Sequence, residues 1–360
     1  MTMPDHPGKV GKTAVLCFSP NDGGMEHDAA FMAQSIAEHL TECLLVVREG
    51  TWLQQYARQH DIPCEAIAFR GSFSLTAIGA MRRLWQQHDI RNVIFLGASE
   101  IHSIHFSIAP PVKTFIVRHG TTKSSSKKDL VHRLTWSRVT AHWCISEHLK
   151  RNVTELFPIG KARVFVNYPG LGVKLAYLPR ARPLTKEDAT LRLAHVGRLV
   201  AGKGQRDALE VVKQARSRGV PATLTCFGSG SDRNELEARI ARLGLKDAVT
   251  LAGHVAHPYQ HFGDFHGFLY PSRGEGFGNA FAEALATGMH CFSYDNTVFP
   301  EFRQLGFHFH MVEDRNHEAL SDAVVSVWEN REPLPMDNIA LCHELFSTAT
   351  EMRFLAEYLA

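Results

Sequence analysis

The sequence predicts an α/β protein made of two Rossmann-like domains, each a doubly wound parallel sheet, and three observations carry that prediction. Short apolar runs alternate with helical patterns throughout the 360 residues, an order that calls for parallel strands with crossover helices on both faces. Eleven such runs are too many for one compact sheet. A stretch near Tyr168–Ala189, bearing Pro169, Gly170, Gly172, Pro179 and Pro183, reads as the break between the halves.

Taken in order, the strand candidates of the first half are Val15–Phe18, Leu44–Val47, Val93–Leu96, Phe115–Val117, His142–Ile145 and Val164–Val166. Those of the second half are Leu191–Val196, Thr223–Phe227, Val249–Leu251, Gly267–Tyr270 and Cys291–Tyr294. Between them, Ala29, Met32, Ala33, Ile36, Ala37 and Leu40, and again Leu236, Ile240 and Leu243, repeat at helical spacing. Asn330–Asp337, with Pro333 and Pro335, precedes a last helical pattern, Ile339 to Leu359. Residues 1–170 are expected to form the first domain and 171–339 the second, with a helix at about 340–360 packing back on the first. There are no repeats and no low-complexity tract.

Hydrophobic content of 44%, charged content of 21% and net charge +2 fit an ordinary globular protein with no general polyanion affinity. Seven scattered cysteines with no Cys-x-x-Cys pair fit reduced, buried thiols in the cytosol. Met1 to Lys12 is polar, and no apolar run nears the roughly 18 residues of a membrane span. A cytoplasmic protein is expected. His102/His105, His257/His261 and His308/His310 have metal-compatible spacing but no cysteine or carboxylate support, so no metal is expected.

In open α/β sheets ligands bind beyond the carboxyl ends of the strands. Two such domains facing each other would make a cleft where the loop motifs converge. The richest of these is Pro271 to Glu283, where Glu275 and Glu283 lie eight apart. That is a little over two helical turns, with the N–H groups of Phe277, Gly278, Asn279 and Ala280 opening a helix. Hydroxyl acceptors at both ends and an anion seat between them suit a nucleotide sugar: ribose, diphosphate and hexose. The His195–Gly204 segment brings Arg198 and Lys203 to one sheet edge, a fork and a point charge for phosphate oxygens. It also spells Gly-x-x-x-x-Gly-Lys, but Gly204 stands where a P-loop needs Ser or Thr. Gly228-x-Gly230 either lets backbone approach a ligand or is a plain β–α turn, and the backbone at His254 and Val255 suits a base edge. In the first half, Gly23-Gly24 opens a helix after the first strand, as an anion site or a simple turn. His119 follows the Phe115–Val117 strand, where a neutral imidazole can bond a sugar hydroxyl or serve structure alone. Thr121, Thr122 and Lys123 beside it suit a polar or phosphorylated acceptor.

These segments, in this order, resemble the GT-B glycosyltransferases of family 4, which share a Gly-Gly loop, Gly-Arg-x5-Lys-Gly-like and Gly-x-Gly segments and Pro-Ser-x-x-Glu-Gly-Phe-Gly-x4-Glu. The resemblance is strong from His195 to Pro300 and weak before Gly160, and His119–Ser124 locally resembles phosphatidylinositol mannosyltransferases. It implies a retaining hexosyl transfer from a nucleoside diphosphate sugar, with UDP the commonest nucleotide, to a glycan or glycolipid such as a lipopolysaccharide core. It implies that Arg198 and Lys203 hold the diphosphate and Glu283 the ribose. Glu275 and the amides near Phe277–Asn279 would hold the sugar, and His119 would touch it near the reacting carbon. On the mechanism the resemblance implies, no side chain acts as a conventional base. The chain has no Asp-x-Asp, so no metal and no cofactor are expected, the basic residues neutralising the diphosphate. No acceptor signature follows Gly97–Glu100, which leaves Glu100 and His102 as cleft candidates.

Lys123, Lys127, Lys128, Arg133, Arg138, Lys150 and Arg151 interleave with Leu130, Val131, Leu134, Trp136 and Val139, and Arg82, Arg83 and Trp85 can join them. Read one way this is a basic amphipathic helix for the inner face of an anionic membrane; read the other, a solvated helix with a buried face. Competing functions are a GT-B-fold sugar epimerase, a phosphorylase, for which no pyridoxal-phosphate lysine stands out, a P-loop NTPase, and a non-catalytic nucleotide- or glycan-binding protein. No nucleic-acid partner is expected.

Overall fold

The computed structural model describes residues 10–69, 71, 73–97, 99–172 and 174–359. The polar residues 1–9 and Ala98 of the Gly97–Glu100 segment lie outside the described residues. The chain divides into two compact units, one running to Gly170 and resuming at Thr348, the other Leu171–Ser347.

In the first unit, β1 (Thr13–Cys17), β2 (Cys43–Arg48), β3 (Cys64–Ile67), β4 (Asn92–Leu96), β5 (Thr114–His119), β6 (Ala141–Cys144) and β7 (Arg163–Val166) form a parallel sheet. Its order is β3-β2-β1-β4-β5-β6-β7. β1 and β4 are buried along their whole length, as strands covered by helices on both faces must be. Ala29, Ala33 and Ile36 from the helix Gly24–His39 pack with Val15, Ile94 and Trp143. Met352, Leu355 and Leu359 of the final helix, Thr348–Leu359, join the same core. That return is pinned by polar bonds: Asn167 Nδ2 donates to the Glu351 carbonyl, and the Gly170 amide to Glu351 Oε2, both at 2.9 Å. Gly170 has no room for a side chain, since a Cβ there would lie 2.9 Å from Thr348 Cα.

In the second unit, β8 (Leu191–Val196), β9 (Ala222–Phe227), β10 (Val249–Gly253), β11 (Gly267–Leu269), β12 (His290–Asp295) and β13 (His310–Glu313) form a second parallel sheet. Its order is β10-β9-β8-β11-β12-β13. The helix Asp337–Leu345 belongs here rather than with the returning helix, because Asn338 brackets the His308 backbone with bonds of 2.8 and 2.7 Å. Each sheet turns back on its strand order next to its first strand, between β1 and β4 and between β8 and β11. Those reversals, at the carboxyl ends, are where open α/β sheets bind ligands. The seven cysteines are free, and all but Cys64 are buried.

Candidate functional site

Four loops at the carboxyl edge of the second sheet are tied to one another by backbone hydrogen bonds. Arg273 N and Ser272 Oγ donate to the Gly202 carbonyl at 2.9 and 3.3 Å, joining the loop after β11 to the loop after β8. Leu199 N donates to Ser229 O at 2.9 Å, and Gly228 N to Gly253 O at 2.7 Å, which adds the loops after β9 and β10. The glycines make this closeness geometrically allowed. Gly228 sits at φ +141, and a Cβ there would meet the Gly197 carbonyl oxygen at 2.0 Å. A Cβ on Gly230 would lie 2.2 Å from Leu199 O, and one on Gly204 2.4 Å from Pro271 O. The close approach these three glycines permit is therefore loop against loop.

Glu275 is the centre of the polar network. Its Oε1 accepts from Lys203 Nζ at 2.7 Å, Ser272 Oγ at 2.6 Å and Tyr270 OH at 2.9 Å. Lys203 follows β8 and Glu275 follows β11, so the pair spans the reversal of strand order. Burial works to raise the Glu275 pKa; the Lys203 ammonium and the two hydroxyls outweigh it and hold the carboxyl below its usual range. Among the described residues nothing bonds its other oxygen. Tyr270 stays a phenol, pushed well up by burial and by the Glu275 charge.

Glu283 lies on the short helix Asn279–Leu285 and is buried, 5% exposed, with Lys174 Nζ at 2.9 Å from Oε1. Burial raises its pKa, and Lys174 offsets only part of the rise. Gly278, in the left-handed region at φ +84, caps this helix, and its carbonyl accepts the Phe281 and Ala282 amides. The Phe277 ring is buried against Phe302 and Phe346 at 5.3 and 5.0 Å, while Asn279 is exposed. Arg198 is exposed, as is His254, and Val255 is half-buried.

Sequence reasoning gave no role to Tyr270, Ser272, Lys174 or His195. Tyr270 and Ser272 stand inside the motif, and their signal was proximity to Glu275; Lys174 lies in the linker-like stretch and carries none. His195 is fully buried and donates from Nδ1 to the Leu269 carbonyl at 2.8 Å. Burial pushes its pKa down to about 4, so the ring is neutral and Nε2 is a bare, buried acceptor without a hydrogen-bond partner among the described residues.

The remaining candidates belong to the first unit. Gly23 caps the helix Gly24–His39, and space around Gly24 is open. His119 ends β5 and is 6% exposed. Its Nε2 is 3.0 Å from His142 Nδ1, and both imidazoles stack with Trp136. Burial, then the neighbouring His142 and Lys123, push its pKa well down, so it is a neutral imidazole whose orientation His142 sets. Thr121 and Thr122 are exposed; Asn152 clamps the Lys123 backbone with two bonds of 2.9 Å. Glu100 pairs with Arg48 at 3.2 Å.

The basic segment forms only a six-residue helix, Leu130–Thr135, capped by Asp129, which accepts from the Val131 and His132 amides. Leu130, Val131 and Leu134 are 81%, 60% and 56% exposed, whereas Trp136 and Val139 are buried. Trp85 does not join this surface: it is 1% exposed, with its Nε1 3.3 Å from Ser107 Oγ.

Two Rossmann-like units with these loops at the strand-order reversal have the GT-B glycosyltransferase fold, and residues 190–330 match the family model for glycosyl transferases group 1. The chain superposes on HepE of Anabaena, solved with UDP, at TM-score 0.80 and 17% identity, covering 97% of this chain and 99% of that one. The lipopolysaccharide outer core galactosyltransferase WaaB gives TM-score 0.73 and 17% identity, over 96% and 99%. By sequence, the capsular polysaccharide biosynthesis glycosyltransferase CapM of Staphylococcus aureus is 32% identical over 95 residues, 26% of this chain and 25% of that protein. The GDP-mannose-dependent alpha-(1-6)-phosphatidylinositol monomannoside mannosyltransferase of Mycobacterium tuberculosis is 26% identical over 282 residues, 70% of each. The chain thus matches only about a quarter of the first of these relatives and 70% of the second.

Proposed function

We propose that this chain is a retaining glycosyltransferase that moves a hexose from a UDP-sugar to a cell-surface glycan or glycolipid, of the lipopolysaccharide-core kind. The observation that carries the reading is the Glu275 carboxylate, held ionised by three donors on one oxygen. Its second oxygen is left to accept sugar hydroxyls. Arg198 and Lys203 receive the diphosphate. As the bond from the anomeric carbon to the diphosphate oxygen breaks, negative charge grows on that oxygen, and the two cations stabilise it. Losing one such contact typically costs about 3–4 kcal/mol of transition-state stabilisation. Glu283 accepts the ribose hydroxyls, and the amides near Phe277–Asn279 face the sugar and phosphate. The departing diphosphate takes the acceptor proton, so no side-chain base and no metal are needed. His119 offers a neutral imidazole to the sugar, and Thr121, Thr122 and Lys123 serve the acceptor.

HepE was solved with UDP and WaaB is named a lipopolysaccharide galactosyltransferase, which supports the choice of donor and acceptor class. No described helix is long and apolar enough to cross a membrane. The exposed Leu130, Val131 and Leu134, beside Lys127, Lys128 and Arg133, support peripheral contact with anionic lipid. A thermal-shift screen of UDP-, GDP- and ADP-sugars tests the reading, because a ligand that binds the folded state raises its melting point. A shift with UDP-sugars that Glu275→Ala loses supports it; no shift with any nucleotide sugar refutes it. Donor consumption that requires acceptor separates transfer from epimerisation.

A further inference from the structure

A second polar cluster lies at the opposite, amino-terminal end of the same sheet. His290 opens β12, His310 opens β13, and Glu332 follows the helix His317–Asn330. Each offers one ligand atom, and the three atoms lie within 4.8 Å of one another. His310 Nε2 is 3.4 Å from Glu332 Oε2. A charge-assisted nitrogen–carboxylate bond closes to about 2.7–2.9 Å, so this is a poor hydrogen bond. It does match the separation of two ligands on a tetrahedral ion whose bonds are about 2.0–2.1 Å, which is about 3.3–3.4 Å.

The surroundings hold the three groups as ligands are usually held. Ser326 Oγ donates to Glu332 Oε1 at 2.7 Å, leaving Oε2 towards His310. His290 Nε2 lies 3.1 Å from the Glu332 carbonyl, and the His310 ring stacks on Phe292 at 4.9 Å. Among the described residues no lysine or arginine pairs with Glu332, whose Oε2 faces His310.

We propose that His290, His310 and Glu332 form a site for a zinc-class divalent ion, with a fourth position open to water, that ties the amino ends of β12 and β13 to the turn after the helix His317–Asn330. The role is structural. Lys203 and Glu275 lie at the carboxyl ends of their strands, so the site is separate from the donor loops. Local spacing did not reveal it: the partner of His310 is His290, twenty residues away, rather than His308.

The test uses the full chain stripped with EDTA and titrated with Co²⁺, then Zn²⁺. Expected is one equivalent of Co²⁺ showing the visible bands of a four-coordinate ion, displaced by Zn²⁺. Zn²⁺ at about 100 times its Kd should raise the melting temperature by about 5–11 °C. His310→Gln and Glu332→Gln change side chains only 26% and 28% exposed but at the edge of the sheet. Each should weaken Zn²⁺ binding by more than about 100-fold, beyond the loss typical of an outer-shell partner. His257→Gln, an exposed histidine elsewhere, should bind as the wild type does. Absence of the visible bands from the wild-type protein, or equal Zn²⁺ affinity in both variants, overturns the proposal. The wild-type spectrum decides the matter even where a variant folds poorly.

Discussion

Lys203→Met isolates what the pair with Glu275 contributes to the second unit. The two side chains are 21% and 10% exposed and meet at 2.7 Å. Removing one partner of a buried pair costs about 3–5 kcal/mol, because the other charge stays behind uncompensated. Ser272 and Tyr270 remain on the same Glu275 oxygen at 2.6 and 2.9 Å, which keeps the loss near the lower limit, about 3 kcal/mol. Methionine retains the apolar stem of lysine, so packing changes little. At about 2–4 °C per kcal/mol for a unit of this size, the melting temperature falls by about 6–12 °C. The pH slope should reverse as well. In the wild type the Glu275 pKa lies below its unfolded value, so its stabilisation is present above that value and is lost as pH falls through the folded one. Without Lys203, burial raises the carboxyl, and the variant gains stability as pH falls. Equilibrium urea unfolding of the wild type, Lys203→Met, Glu275→Gln and the double variant measures this, and the double variant should regain most of the loss. A penalty under about 1 kcal/mol with an unchanged pH slope would refute the reasoning.

Three further outcomes are expected. His142 and His195 are fully buried with pKa values near 4; folded values below the unfolded 6.5 mean stability is complete above pH 6.5 and drains towards pH 4, by about 3 kcal/mol for each ring. Urea midpoints at pH 7, 5 and 4 check this, and a flat profile contradicts it. Glycosyl transfer should keep its full rate in EDTA, and strict dependence on Mg²⁺ or Mn²⁺ would remove the diphosphate role given to Arg198 and Lys203. The chain should float with anionic liposomes at low salt and lose that binding in Leu130→Asp/Leu134→Asp; no flotation at low salt excludes the lipid contact.

The central strands β1 and β4 were legible in the sequence because both of their faces are covered, so Val15–Phe18 and Val93–Leu96 read as unbroken apolar runs. β3 and β13 were missed for the converse reason. They are edge strands of only partial burial, and Glu65 and His310 interrupt their apolar character. Glu275 and Glu283 stood out through their eight-residue spacing around a glycine turn. Lys174, which pairs with Glu283 from 109 residues away, left no local trace. The same holds for His142 beside His119, joined across neighbouring strands 23 residues apart. Gly228, Gly230 and Gly204 were visible as glycines, but only the fold shows that they meet other loops.

Calorimetric titration of UDP into the wild type, Arg198→Ala and Lys203→Ala tests most directly whether this edge of the second sheet receives a nucleoside diphosphate. Each substitution should weaken binding by about 10- to 100-fold, the equivalent of one charge-assisted contact of about 1.5–3 kcal/mol. Affinities within twofold of the wild type for both variants, or no UDP binding to the wild type, would contradict it.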